Sequence, residues 1–164
     1  CRPDLWSVLL APQPPPAARR CSTPGIVRKG NVVFAAHALG RIYFQLGARV
    51  HRDLFANLLG LVYDNPMIKT ELPSAGRISL LHQPEQNRYV AHLLYGPAHK
   101  RGQCLVIEDL VPLYDIPVEL TVSETIKEAT LVPGGESLSL ERAGDTVRVV
   151  VPKLQCHQAV VFSY

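Results

Sequence analysis

Gly30-Asn-Val-Val-Phe-Ala-Ala-His37 reads as a β-strand, and Arg49-Val-His-Arg-Asp-Leu-Phe-Ala-Asn-Leu-Leu-Gly-Leu-Val62 reads as the helix that returns along it. Val32, Val33 and Phe34 form an unbroken apolar run between Gly30 and Gly40. Such a run is the pattern of a strand covered on both faces, as in an α/β sheet. Within the helix, Val50, Leu54, Leu58 and Leu61 recur at steps of four, four and three, giving one apolar stripe. Pro66 stops any continuation. One strand–helix unit cannot cover both faces of a sheet. The segment therefore reads as the end of a larger α/β domain, and it predicts apolar surface left uncovered if the rest of that domain is missing.

Downstream the pattern changes to period two. Ile78 and Leu80 alternate around Ser79, Tyr89-Val-Ala-His-Leu-Leu-Tyr95 forms a strong strand, and Val118, Leu120 and Val122 alternate with polar residues, as do Val147, Val149 and Val151. Gly134-Gly135 lies between Ala129–Val132 and Ser137–Leu140 as a two-residue hairpin connection, and Ala143-Gly-Asp145 makes the next turn. The last strand is Gln158–Phe162. Seven or eight short strands with frequent turns predict an antiparallel sandwich or barrel. The fold class is thus mainly β: a C-terminal antiparallel β-sandwich over 76–164, a connector over 66–75, a partial α/β unit over 25–65, and a linker over 1–24 built around Pro12-Gln-Pro-Pro-Pro16.

Composition narrows the function classes. The chain has 164 residues and is 47% hydrophobic, about one domain or a small domain plus part of another. Its apolar runs fall far short of the ~20 residues that span a bilayer. The start has neither an initiator Met nor a signal-peptide layout, which reads as a chain that begins inside a longer polypeptide. The net charge of +3 conceals an asymmetry: residues 1–52 carry eight Lys/Arg against Asp4, and the remainder nine against thirteen acids. The bases are scattered and not interleaved with aromatics, so a solvated face or an acidic neighbouring domain explains them better than nucleic acid. Cys1, Cys21, Cys104 and Cys156 form no CxxC pair or zinc spacing, although Cys104 and Cys156 could bridge two strands. Free thiols point to a reducing, cytoplasmic setting.

Gly30-Asn-Val-Val-Phe-Ala, Gly40-Arg-Ile-Tyr43 and His51-Arg-Asp-Leu-Phe-Ala-Asn-Leu-Leu59 resemble the closing strand and helix of the amidotransferase-like, or trimerisation, domain of β-galactosidase-type glycoside hydrolases. Arg88-Tyr-Val-Ala-His-Leu-Leu-Tyr95 is similar to the strand opening the β-sandwich that follows it there. The resemblance covers residues 25–164 and extends to hypothetical glycosyl hydrolases with this tail. In such proteins a catalytic TIM barrel comes first; this chain lacks it. The resemblance implies a non-catalytic accessory and assembly portion, whose partners are the rest of the parent polypeptide, its catalytic barrel and a second subunit. The rival reading is a stand-alone carbohydrate-binding sandwich.

The chemistry-bearing residues are sparse. Glycoside hydrolysis needs two carboxylates about 5–10 Å apart. Glu108 and Asp109 are the one adjacent pair, and on a strand they would face opposite ways, although in a loop they would not. His37 sits at the carboxyl end of the first strand, where α/β sheets place ligand-binding groups, and with Arg41 and Tyr43 could line a cleft or an interdomain contact. Tyr89 and Tyr95 lie six apart on one strand and so share a face; that face is either core or a sugar-stacking platform, with Glu108 and Asp109 as polar companions. His92, in an apolar strand, reads as a hydrogen-bonded core histidine rather than a ligand. No GxSxG elbow, P-loop or HExxH pattern is present, so no catalytic residue, cofactor or metal is expected.

Overall fold

A computed structural model describes residues 24–164. The linker expected over 1–24, with Cys1, Trp6 and Cys21, lies outside the described residues except for Pro24. The chain divides into two compact units between Asp64 and Asn65. It is mainly β, and the described α-helices belong to the first unit.

In the first unit, β1 (Ile26–Lys29) and β2 (Val32–Ala35) form an antiparallel hairpin, followed by α1 (Leu39–Leu46) and α2 (Arg49–Gly60). The expected strand and helix are both present, but Gly30 is not the start of the strand. It closes the hairpin at φ +58, a left-handed conformation that glycine adopts without steric cost. The neighbour of the Val32–Phe34 run is thus the preceding strand, and the run is not covered on both faces. Val33 and Ala35 are half-buried, while Val32 and Phe34 point away and remain exposed. Helix α1 was not expected. It lacks a capping side chain at Ala38 and an acid in its first turn, the usual sequence marks of a helix start. It ends at Gly47, whose left-handed conformation lets its N–H bond Tyr43 O at 2.7 Å. On α2, Asp53 accepts bonds from Arg49 and Arg52 at 3.2 and 2.9 Å.

The second unit, Asn65–Tyr164, is a sandwich of two antiparallel sheets. Its strands are β3 (Ile68–Thr70), β4 (Gly76–Gln83), β5 (Arg88–Tyr95), β6 (His99–Arg101), β7 (Cys104–Val106), β8 (Leu113–Thr121), β9 (Glu128–Val132), β10 (Ser137–Leu138), β11 (Glu141–Ala143), β12 (Thr146–Leu154) and β13 (Cys156–Ser163). One sheet runs β10-β9-β13-β5-β4 and the other β11-β12-β8-β3, while β6 and β7 form a separate hairpin. Alternation drives the packing. On β12 the side chains of Val147, Val149 and Val151 turn inward, and on β8 those of Ile116, Val118 and Leu120 do the same. They meet Tyr89, Ala91, Leu93, Leu131, Val160 and Phe162 of the five-stranded sheet. Burying each of the larger side chains stabilises the fold by about 1.5–3 kcal/mol. Gly144, at φ +61, makes the tight turn that pairs Ala143 with Thr146.

Candidate functional site

At one end of the sandwich four chemically active side chains converge from distant positions. Tyr89 and His82 are cross-strand partners on β5 and β4, and their rings stack at 4.2 Å with an interplanar angle of 11°. His82 Nε2 hydrogen-bonds Tyr164 Oη at 3.0 Å, and the Tyr89 hydroxyl donates to Glu124 Oε2 at 2.9 Å. Ser123 donates to the same Glu124 oxygen at 3.0 Å. Backbone bonds hold the frame: Tyr164 N donates to Asn87 O at 3.0 Å, and Lys127 N to Ser163 O at 2.7 Å.

Burial, and then the bond to Glu124, push the Tyr89 phenol up to about 12. The Tyr89 hydroxyl, the Glu124 backbone N–H and the Ser123 hydroxyl hold the Glu124 carboxyl below the usual range, and the charge of His82 adds to this. Both shifts move these groups away from neutrality. A general acid or base is tuned in the opposite sense, toward the working pH. The cluster therefore keeps its proton on Tyr89 and its charge on Glu124, and it acts as a clasp across the open end of the sandwich.

The residues singled out in the sequence do not come together as one site. His37 lies exposed after β2, on the wall of a cleft of about 260 Å³ in the first unit. That cleft is otherwise lined by apolar groups, among them Val33, Leu39, Phe55, Leu58 and Val62. Arg41 and Tyr43 lie on α1, two residues apart and so on different sides of the helix, and neither belongs to the cleft lining. Tyr89 is buried in the core, and Tyr95, at the far end of β5, is half-buried against it. Glu108 and Asp109 are exposed in the segment between β7 and β8. Glu108 is held by Arg101, with Nη2 to Oε2 at 2.6 Å, an exposed pair worth at most ~1 kcal/mol. His92 is hydrogen-bonded but is not a core residue: period-two alternation turns it to the outer face of its sheet, where it bonds His157, Nδ1 to Nε2 at 3.1 Å. Cys104 and Cys156 are free and exposed.

Sequence reading missed His82, Glu124 and Tyr164 as a group. A signal existed for one contact. His82 and Tyr89 flank a short turn at equal distance, so a hairpin there pairs them on one face. The bonds that bring Glu124 and Tyr164 to them close loops of 35 and 82 residues, and no local pattern marks those. Among the described residues, no group of three or more His, Cys, Asp or Glu is arranged to hold a metal ion, and no helix is long and apolar enough to cross a membrane.

No protein-family model and no curated protein matches the chain. A solved structure does. The chain is similar to α-L-fucosidase isoenzyme 2 from Paenibacillus thiaminolyticus, at 32% sequence identity and a TM-score of 0.80. The match covers 86% of this chain but 22% of the fucosidase. This chain is thus related to a part of a glycoside hydrolase. What the match supports is that class, and not the β-galactosidase type in particular.

Proposed function

We propose that the chain is the non-catalytic accessory and assembly portion of a glycoside hydrolase acting on carbohydrate. The observation that carries this reading is the asymmetric match: nearly the whole chain corresponds to about a fifth of a fucosidase. The site geometry agrees with it. Glu108 is engaged by Arg101, and Glu124 by Tyr89, so neither is poised as half of a catalytic carboxylate pair. The first unit displays the uncovered apolar surface that a partner domain would bury: Val32, Phe34, Phe44 and Leu46 are between 62% and 90% exposed. The partner is the rest of the parent polypeptide, including its catalytic barrel, and the finer assignment to the β-galactosidase type rests on the sequence resemblance of segments within residues 30–59 and of residues 88–95.

Hydrolysis of chromogenic α-L-fucoside and β-D-galactoside tests the reading. The 164-residue chain is expected to cleave neither, and the polypeptide of the full reading frame to cleave one of them. Turnover of either glycoside by the isolated chain, lost on Glu108→Gln or Glu124→Gln, would overturn it.

A further inference from the structure

The sandwich has four sheet edges, and three of them are guarded. Strand β10 has two residues, β3 has three and carries Lys69, and β11 has three and carries Glu141 and Arg142. Short length and charge are the usual protections against unwanted strand pairing. The fourth edge, β4, is the least guarded: it is long, and its one Lys, Arg or carboxylate side chain is Arg77, next to its start. It runs eight residues, Gly76–Gln83, in unbroken register with β5 and without a bulge. Its interior, Ile78-Ser-Leu-Leu81, contains no proline, lysine or carboxylate. Its other backbone edge pairs with no strand among the described residues.

We infer that β4 is an interaction edge and that it pairs antiparallel with β4 of a second copy of this chain. A twofold axis at Leu80 sets Ser79 opposite the partner's Leu81, Ile78 opposite the partner's His82, and Arg77 opposite the partner's Gln83. No like charges face each other in this register. Moving the axis by one residue to Ser79 would instead set Leu81 against the partner's Arg77. The Leu80 register also explains an exposed side chain. Leu81 is 50% exposed on the outer face, beside Val90 and Val161 in the same cross-strand row. Across the twofold, the two Leu81 side chains become diagonal neighbours, within reach of each other. The row Leu81, Val90 and Val161 and its symmetry mate then meet diagonally across the join. Symmetric pairs of this kind are the commonest oligomers. The pairing depends on the sandwich edge and not on the chemistry of the parent enzyme.

Sedimentation velocity on the full 164-residue chain tests this inference. Wild type should rise from 18.1 kDa toward twice that mass as loading goes from low to high micromolar. The double substitution Ser79→Lys with Leu81→Lys places lysine opposite lysine at exposed positions and should weaken the dimer by at least about tenfold. Ser79→Lys with Leu81→Glu places opposite charges across the same pairs and should restore it. A wild type that stays at 18.1 kDa at every concentration overturns the inference. So does association that the double lysine variant leaves unchanged, which would assign it to another surface, such as that of the first unit. Failure of the lysine–glutamate variant to recover overturns the Leu80-centred pairing.

Discussion

The sandwich buries Leu93, Val118, Leu120, Val151, Leu154 and Phe162 completely, whereas among the described residues of the first unit only Leu39 is a buried hydrophobic. There Phe44 stands 90% exposed and Val32 and Val50 each 67%. Both regions are rich in apolar residues, so composition does not separate them. What separates them is closure. The sandwich has a second sheet to receive each inward side chain, and the hairpin with its two helices does not. Among the described residues, the first region leaves most of its apolar side chains uncovered, and the second encloses a core.

The hardest blow to this contrast would come from the core. Phe162→Ala should cost about 3–5 kcal/mol in urea unfolding followed by far-UV circular dichroism; a cost under ~1 kcal/mol would mean that the sandwich is not the closed unit. Tyr89→Phe is expected to cost about 1 kcal/mol near neutral pH, through loss of the bond to Glu124. It also has an alkaline signature. Tyr89 is raised in the folded state, so its contribution is complete below the ordinary tyrosine pKa of about 10 and is lost as pH rises toward 12. Ultraviolet titration of the folded variant should lack the highest tyrosine step, and an unchanged titration would show that Tyr89 is not the buried phenol.

Glu124 works in the opposite direction. Its pKa is lowered on folding, so its contribution is complete above the usual carboxylate range and disappears as pH falls through the lowered value. Stability of Glu124→Gln measured against pH should therefore fall less steeply below about pH 4 than that of wild type; parallel curves would remove Glu124 from the clasp. The smallest effect belongs to the first unit. Phe34→Ser and Phe44→Ser should change unfolding free energy by no more than about 0.5 kcal/mol while reducing the binding of a hydrophobic dye. A large destabilisation would show that these side chains are already packed.

The sandwich was legible because period-two alternation reports burial directly. Val147, Val149 and Val151 are buried, while Arg148 and Val150 are exposed. The turns at Gly134-Gly135 and Gly144 were legible because glycine marks conformations that other residues resist, although the first spans four residues, 132–135, and not two. In the first unit the same logic misled at one point. The run Val32–Phe34 carries the apolarity of a strand covered on two sides, but sequence cannot say whether the cover is present. Helix α1 escaped notice because it begins without a cap. The stripe on α2 was half right: Leu54 and Leu58 are half-buried, whereas Val50 and Leu61 stay exposed. Glu124 and Tyr164 were illegible as a pair for a topological reason, since only the completed sandwich brings loop 123–127 beside the turn at Asn87.

The sheet order β10-β9-β13-β5-β4 places β13, the last strand in sequence, at the centre. Hairpin β4–β5 and hairpin β9–β10 can each form as soon as their residues exist, but they remain separate ribbons until Cys156–Ser163 slides between them. On a ribosome, the five-stranded sheet therefore cannot close before Ser163 has cleared the exit tunnel. Until then Phe162 and Val160 are missing from the core, and the inward faces of Leu93 and Leu131 stay wet. The sandwich is a structure that its own synthesis finishes in one late step.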